Sequence, residues 1–148
     1  MNILSLDIAT HCGWKTKTAS GVWDFTLKRG ESYGMKLIRF KSKVRETIDL
    51  EGIEIVSYER VAGLHKAAII SASEMVGVLH ALCIEKGVEI TAYSAGEIKK
   101  FATGKGNANK AQMVQAAKEK YGYIGDSDDE SDAIHLYYLT DADLNSNK

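Results

Sequence analysis

The chain has 148 residues, of which 45% are hydrophobic and 26% charged, as expected for one domain (residues 1–148) with a sizeable core. Cys12 and Cys83 are its only cysteines, too few for a disulfide framework or a cysteine zinc site. We expect no apolar stretch long enough to cross a bilayer. We also expect no secretion signal, because the first apolar run contains Asp7 and follows no charged segment. These features predict a cytoplasmic protein.

The charge is unevenly distributed, although the net charge is only −1. Residues 1–124 contain 18 lysines and arginines and 13 acids, whereas residues 125–148 contain one lysine and seven acids. A basic body can bind phosphates, and an acidic cluster can hold cations. The same acids would also suit a solvated C-terminal segment, so charge alone leaves both interpretations open.

The first third of the chain predicts a meander followed by a helix. Alternating and aromatic residues favour strands over Asn2–Ile8, His11–Thr18 and Gly21–Leu27. The spacing then changes to a helical period over Ser32–Leu50, and Gly52 ends the helix. One side of this helix, predicted to face inward, carries Met35, Ile38, Val44 and Ile48. Another side carries Lys36, Arg39 and Lys43.

The rest of the chain alternates strands and helices. Strands are predicted over Ile53–Glu59 and Val88–Tyr93, separated by a helix from about Lys66 to Lys86. A capping box at Ser94 and Glu97 starts a short helix, and the loop 104–109 precedes a helix over 110–121. A second box at Ser127 and Glu130 starts the last helix, and we expect a frayed tail over about 144–148.

This order predicts an α/β fold with a mixed five-stranded sheet flanked by helices. Three strands form an antiparallel meander, and two further strands run parallel. In such sheets, side chains at the carboxyl ends of strands face the crevice in which ligands bind.

Carboxylates occur where this fold would bring them together. Asp7 and Glu59 lie at the ends of predicted strands, and Asp129 and Asp132 share one face of the last helix. Asp128 would share that face too, so the choice between Asp128 and Asp129 stays open. Clustered carboxylates need cations, and hard oxygen ligands suit Mg²⁺ or Mn²⁺. Two such ions can support phosphodiester hydrolysis.

Each of these acids also has a structural explanation. A strand-end aspartate or glutamate can cap a turn, and acids in a first helical turn interact favourably with the helix dipole. The dipole does not account for Asp132, which lies beside apolar residues one turn later. We therefore interpret the four acids as one metal site.

Four segments resemble the RuvC family of Holliday-junction resolvases, especially its compact phage-type members. The first two are Leu6–Trp14, which contains Asp7 and a Gly-Trp pair, and Ser57–Val61, which contains Glu59. The other two are Thr103–Gln112, with the pattern G-x-G-x-x-x-K-x-Q, and Asp129–Ala133, with the pattern D-x-x-D-A. With the order of elements, the resemblance covers nearly the whole chain.

The resemblance implies a ribonuclease-H-like fold, a homodimer, Mg²⁺ with Mn²⁺ as a substitute, and nicking of branched DNA. Asp7, Glu59, Asp129 and Asp132 match the acidic metal ligands of the family. Lys110 matches a lysine that contacts the phosphate backbone near the cut, and Lys105 lies in the same loop. Neither a membrane nor a small-molecule substrate is implied. The alternative for both lysines is a solvated loop and helix start.

The sequence also departs from the family pattern. Ile8-Ala9 replaces the Pro-Gly of many members, and the loop Ala62–His65 lacks the aromatic residue that bacterial members insert into the junction. Leu64 and His65 are the residues left to contact DNA there. Because base stacking on an aromatic ring contributes about 1–3 kcal/mol, we expect relaxed sequence preference and cleavage that extends to forks and flaps.

Three other classes of protein would share part of this sequence pattern. A ribonuclease H that acts on RNA–DNA hybrids would use similar acids, and a branched-DNA binding module would need no catalysis. A fragment of a sugar-kinase or actin-like ATPase would need a second domain and glycine-rich nucleotide loops. His11 is expected beside the site, and His135 at a helix boundary or dimer contact rather than in the chemistry.

Overall fold

A computed structural model describes residues 1–147 as a five-stranded sheet covered by helices. The strands are β1 (Ile3–Asp7), β2 (His11–Lys15), β3 (Ser20–Asp24), β4 (Ile55–Glu59) and β5 (Glu89–Tyr93). The helices are α1 (Gly34–Glu51), α2 (Lys66–Lys86), α3 (Ala95–Thr103), α4 (Lys110–Tyr121) and α5 (Asp128–Ser146). The predicted order of elements is confirmed.

The sheet brings the ends of three parallel strands to one edge. Its order is β3-β2-β1-β4-β5; β2 pairs antiparallel with β1 and with β3, and β4 pairs parallel with β1 and with β5. The predicted meander and parallel pair are therefore confirmed. Leu6 is opposite Tyr58 in the last pair of β1 and β4, so the next residues, Asp7 and Glu59, lie side by side at the carboxyl ends of these strands.

The two faces of the sheet carry different helices. Leu4, Leu6 and Val56 belong to a core that includes buried residues of α1 and α2. Successive strand residues point to opposite faces, so Ser5 and Ser57 face the other side, where α5 crosses β1 and β2. Helices α3 and α4 form a second, smaller cluster with α5.

Helix α1 presents a different face to the core from the one its spacing predicted. Val44 and Ile48 are buried as expected, but Met35 and Ile38 are exposed, so that part of the prediction is wrong. Phe40 takes the inner position and packs edge-on against another aromatic ring. An aromatic ring buries more apolar area than either aliphatic side chain, and this orientation also buries Lys36.

Helix α2 is more apolar than its neighbours. Within residues 1–147 it is the one helix that is long and apolar enough, by length and composition alone, to span a membrane. The expectation that no apolar stretch has this length is therefore wrong. One side of α2 packs into the core through Met75, Leu79, Leu82 and Cys83. Its outward side leaves small and aliphatic side chains exposed, including Ile70 and Ile84.

The helix starts match the predicted caps in part. Ser94 and Glu97 form a complete capping box. At α5, Ser127 accepts from the Glu130 backbone N–H, but the Glu130 carboxylate bonds with the Ser20 and Tyr123 hydroxyls instead of closing the box. Helix α5 continues to Ser146, into the predicted frayed tail, and the last residue of that tail, 148, lies outside the described residues.

Candidate active site

The ends of β1 and β4 aim two carboxylates at the same side of the sheet. Side chains alternate along a strand, so Asp7 points to the same face as Ser5, and Glu59 to the same face as Ser57. Ser5 donates to the Ala133 carbonyl at 2.7 Å, and Thr140 bonds with Ser57 at 2.8 Å. Both strands therefore turn their acids toward α5.

Helix α5 supplies the other two acids from its first turns. Asp129 and Asp132 precede Ala133 by four residues and one residue, and they share the side of α5 that faces the sheet. Asp7, Glu59 and Asp129 line a cleft of about 370 Å³ together with Thr10, His11 and residues from α2. The structure thus brings together the four acids that the sequence singled out.

The electrostatics of the cluster show that the acids lie close together. Desolvation raises the pKa of Asp7 well above its usual range, and the charges of Asp132, Glu59 and Asp129 raise it further. The pKa of Asp132 is raised to about 7, mainly by desolvation and next by the charge of Glu59. The pKa of Glu59 is also raised by desolvation. Protein folds rarely bring unpaired acids together in this way unless a cation compensates them.

The arrangement suits ions shared between pairs of carboxylates. Desolvation raises the pKa of Asp129, and a proton shared between Asp7 and Asp129 raises the pKa of Asp7 while it partly offsets the rise at Asp129, so these two carboxyl groups lie next to each other. In residues 1–147 no three acidic, histidine or cysteine side chains are placed to enclose one ion. Mg²⁺ is commonly held by one or two carboxylates, with water and substrate phosphates as its other ligands. The donor set therefore fits Mg²⁺ or Mn²⁺.

Asp128 and Asp129 occupy different positions. Asp129 lines the cleft and bonds with Asp7, whereas Asp128 faces Lys110, whose Nζ lies 3.5 Å from a carboxylate oxygen. The geometry thus favours Asp129 as the ligand. Asp128 still raises the pKa of Asp132, so it lies at the margin of the cluster.

Lysines surround the acids, and one of them was not predicted. Lys110 lies at the start of α4, is 86% exposed, and lowers the pKa of Asp129. Lys105 is exposed in the preceding loop, in a groove with residues of α3 and α4 rather than in the acidic cleft. Lys99 on α3 lowers the pKa of both Glu59 and Asp132. Its only sequence signal is a place on a short helix, which does not reveal where the side chain reaches.

The other predicted residues lie around the cleft with different exposure. Leu64 is 97% exposed, and His65 caps the start of α2; both belong to the loop that follows β4. His11 lines the cleft, as expected, and its Nε2 lies 3.5 Å from Asp24. The expectation for His135 is wrong, because this residue is fully buried within α5 and bonds with the Met113 carbonyl at 2.8 Å.

Gly13 allows α5 to approach the sheet. A Cβ atom at this position would lie 1.9 Å from the Asp129 carbonyl oxygen and 2.4 Å from its carbon. These are backbone atoms and cannot rotate away, so only glycine fits there. The glycine of the Gly-Trp pair therefore sets the position of Asp129 relative to Asp7.

Comparison with known proteins identifies the family. The family model described as crossover junction endodeoxyribonuclease RuvC matches residues 20–136. The chain belongs to the RuvC family. It is 24% identical over 123 residues to the RuvC enzyme of Streptomyces avermitilis, which covers 76% of this chain and 70% of that protein. It is 30% identical over 80 residues to RuvC of Corynebacterium glutamicum, which covers 53% of this chain and 36% of that protein.

Solved structures of RuvC and related resolvases share the fold. Thermus thermophilus RuvC in complex with a Holliday junction substrate superposes with a TM-score of 0.75 at 18% identity, covering 92% of this chain and 90% of that one. The resolvase of fowlpox virus, solved with junction DNA, has a TM-score of 0.60 at 14% identity over 97% and 99% of the two chains. The predicted ribonuclease-H-like fold and the enzyme class, crossover junction endodeoxyribonuclease, are confirmed.

Proposed function

We propose that this RuvC-family endonuclease nicks four-way DNA junctions by metal-dependent hydrolysis of a phosphodiester. The observation that carries the proposal is that Asp7, Glu59 and Asp129 line one cleft, and that Asp132 lies close enough to them for their charges to raise one another's pKa. The Holliday junctions bound by the Thermus thermophilus and fowlpox virus proteins support the choice of substrate.

The four acids would hold the metal, with two ions per site and Mg²⁺ or Mn²⁺ as the species. When bound, such ions supply positive charge to the reacting phosphodiester and activate water. The protein orients the acids rigidly, since Ser5 and Thr140 fix α5 to the sheet and Gly13 sets its distance. This rigidity matters because the reaction needs positioning and charge neutralisation more than covalent chemistry.

Lysines beside the acids would bind the substrate backbone. Lys110 and Lys99 lie next to the cluster, so each can contact a phosphate that approaches the acids. Lys105 would extend this contact along the loop before α4. Their charges also offset the repulsion between the acidic cleft and DNA.

The exposed side of α2 would form a homodimer. Ile70, Gly77, Ala81 and Ile84 follow helical spacing along one outward stripe, and Gly77 has open space around it. The stripe is mostly aliphatic, with the exposed Glu74 as its charged member, and it suits a second copy of the same helix across a two-fold axis. Two sites related in this way could nick opposing strands of a junction, which is itself nearly two-fold symmetric.

The loop after β4 would set substrate preference. Leu64 is almost fully exposed at this loop, where it can contact an opened base pair but cannot stack as an aromatic ring does. We therefore expect structure-selective cleavage with relaxed sequence preference, including forks and flaps. Membership among phage-type resolvases and a cytoplasmic location stay predictions.

A cleavage assay tests the proposal. Wild type and Asp7→Asn are incubated with Mg²⁺ and a synthetic four-way junction, a fork, a linear duplex and an RNA–DNA hybrid. We expect symmetric nicks in the junction, with at least about a hundredfold loss in Asp7→Asn and retained junction binding. Preferred cleavage of the hybrid would instead support a ribonuclease H, and binding without nicking would support a non-catalytic module.

A further inference from the structure

Lys36 is a buried lysine that reaches the margin of the active-site cleft. It lies on α1, yet its side chain is 5% exposed. Its Nζ donates to the Thr10 hydroxyl, just after β1, and to the Ser71 hydroxyl on α2, both at 2.6 Å. One ammonium group thus connects the segment that follows Asp7 with the helix that carries the proposed dimer surface.

This ammonium group has only neutral partners. Within residues 1–147 Lys36 takes part in no ion pair, although other lysines of α1 do. Burial lowers the pKa of Lys36, and the charge of Glu74 on α2 partly offsets this without forming a direct ion pair, so the hydrogen bonds of the ammonium group go to the two hydroxyls. The two hydroxyls lie between Lys36 and the cleft, because Thr10 and Ser71 line the cleft and Lys36 does not.

The hydrogen bonds from Lys36 fix the direction of both hydroxyl protons. Each hydroxyl oxygen accepts from Nζ, so its own proton must point away from the ammonium group. In the described part of the chain neither hydroxyl donates to another protein group. Two free O–H donors, backed by a positive charge, therefore face the same cleft as Asp7, Glu59 and Asp129. Such a pair is suited to an anionic oxygen.

We propose that the Thr10 and Ser71 hydroxyls, oriented by Lys36, bind a DNA backbone phosphate next to the one that is cut. The inference rests on the proposed function. A free anion would be repelled by the acids across the cleft, whereas a strand held at several phosphates can place one of them here. Lys36 is a positioning residue, and the hydroxyls make the contact.

The test combines protein variants with neutralised phosphates. The double variant Thr10→Val, Ser71→Ala removes both donors and nearly preserves volume, and Ser42→Ala, at an exposed serine of α1, is the matched control. Junctions carry a single methylphosphonate at successive positions around the cut, and their dissociation constants are measured in EDTA. We expect one position at which the methylphosphonate weakens the binding of wild type and Ser42→Ala about tenfold. The same position should no longer affect the double variant.

Lys36→Met provides a second, independent readout. It keeps both hydroxyls but removes the charge behind them, so the slope of log affinity against log salt should fall by about one. A double variant that responds to every methylphosphonate as wild type does would overturn the proposal. So would a loss of affinity that is uniform at all positions, since this indicates damage to the fold. If wild type neither binds nor nicks the junction, the proposed function itself fails.

Discussion

At the scale of single residues, the carboxyl groups of Asp7 and Asp132 make the metal-free protein sensitive to pH. The pKa of Asp132 rises from its ordinary 3.8 to about 7 on folding, and that of Asp7 also rises. The folded protein therefore binds protons at these acids more tightly than the unfolded chain does. Below about pH 4 the acids are protonated in both states, so they do not reduce the free energy of unfolding. As pH rises toward 7, the unfolded chain ionises while the folded acids resist, so stability is lost.

We predict that the metal-free protein is more stable at pH 5 than at pH 7.5, by an amount on the order of a few kcal/mol, because each pKa unit corresponds to about 1.4 kcal/mol. Urea unfolding in EDTA at both pH values measures this difference. Mg²⁺ should reduce it at pH 7.5, and Asp132→Asn should reduce it without metal. An unchanged pH dependence in Asp132→Asn would contradict the assignment.

Lys99 tunes the acids from outside the cluster. Its charge lowers the pKa of Glu59 and Asp132, so Lys99→Met should raise both. We predict that the rise of the nicking rate with pH moves to higher pH in this variant. Lys100→Met, on the neighbouring exposed position, is the control and should leave the profile in place. Superimposable profiles for the two variants would show that Lys99 does not act on the acids.

The acidic residues could be predicted from sequence, whereas their basic neighbours could be predicted only in part. Strand ends place Asp7 and Glu59 at one edge, and helical spacing places Asp129 near Asp132, so local rules suffice. Lys99 was missed because its effect on the acids depends on how α3 packs against α5, which involves residues far apart in the chain. The same holds for the link from Lys36 to Thr10.

At the scale of elements, the distance between β2 and α5 decides where Asp129 lies. Gly13→Ala places a methyl group against the Asp129 backbone, so α5 must shift or the strand must bend. We predict at least about a tenfold loss of nicking, because displacement of about 1 Å at a catalytic group is enough for a large effect.

The control for this variant is Gly96→Ala in α3, where an added Cβ meets only the Ser94 hydroxyl at 3.9 Å. It should keep full activity and gain up to about 1 kcal/mol of stability from helix propensity. Thermal unfolding and nicking rates measure both variants. Full activity in Gly13→Ala would show that α5 does not depend on this close approach.

Element boundaries were predicted well where a periodic pattern ends in a cap. Helix α2 begins and ends where the sequence indicated, and Gly52 and Gly87 end α1 and α2 in the left-handed conformation. The inner face of α1 was predicted wrongly because several apolar residues surround the helix. Packing against an aromatic ring beside the sheet determines which of these residues is buried. The spacing of apolar residues along the sequence does not reveal this packing.

At the scale of the whole molecule, the exposed side of α2 determines the proposed assembly. Ile84 is 83% exposed at the C-terminal end of this mostly aliphatic stripe, so Ile84→Glu would bury an added charge in the proposed interface. We predict a shift from dimer to monomer in sedimentation equilibrium. Ile124→Glu changes an isoleucine that is 97% exposed outside α2, and it should leave the dimer intact. An Ile84→Glu protein that stays dimeric would exclude α2 as the interface.

Acids from three distant segments would together form one site for divalent cations. Anomalous diffraction from crystals grown with Mn²⁺ tests this most directly. We expect manganese peaks between Asp7 and its neighbours Glu59, Asp129 and Asp132, and their loss in Asp7→Asn crystals. A protein that nicks junctions in Mn²⁺, yet shows no manganese at these side chains, would contradict it.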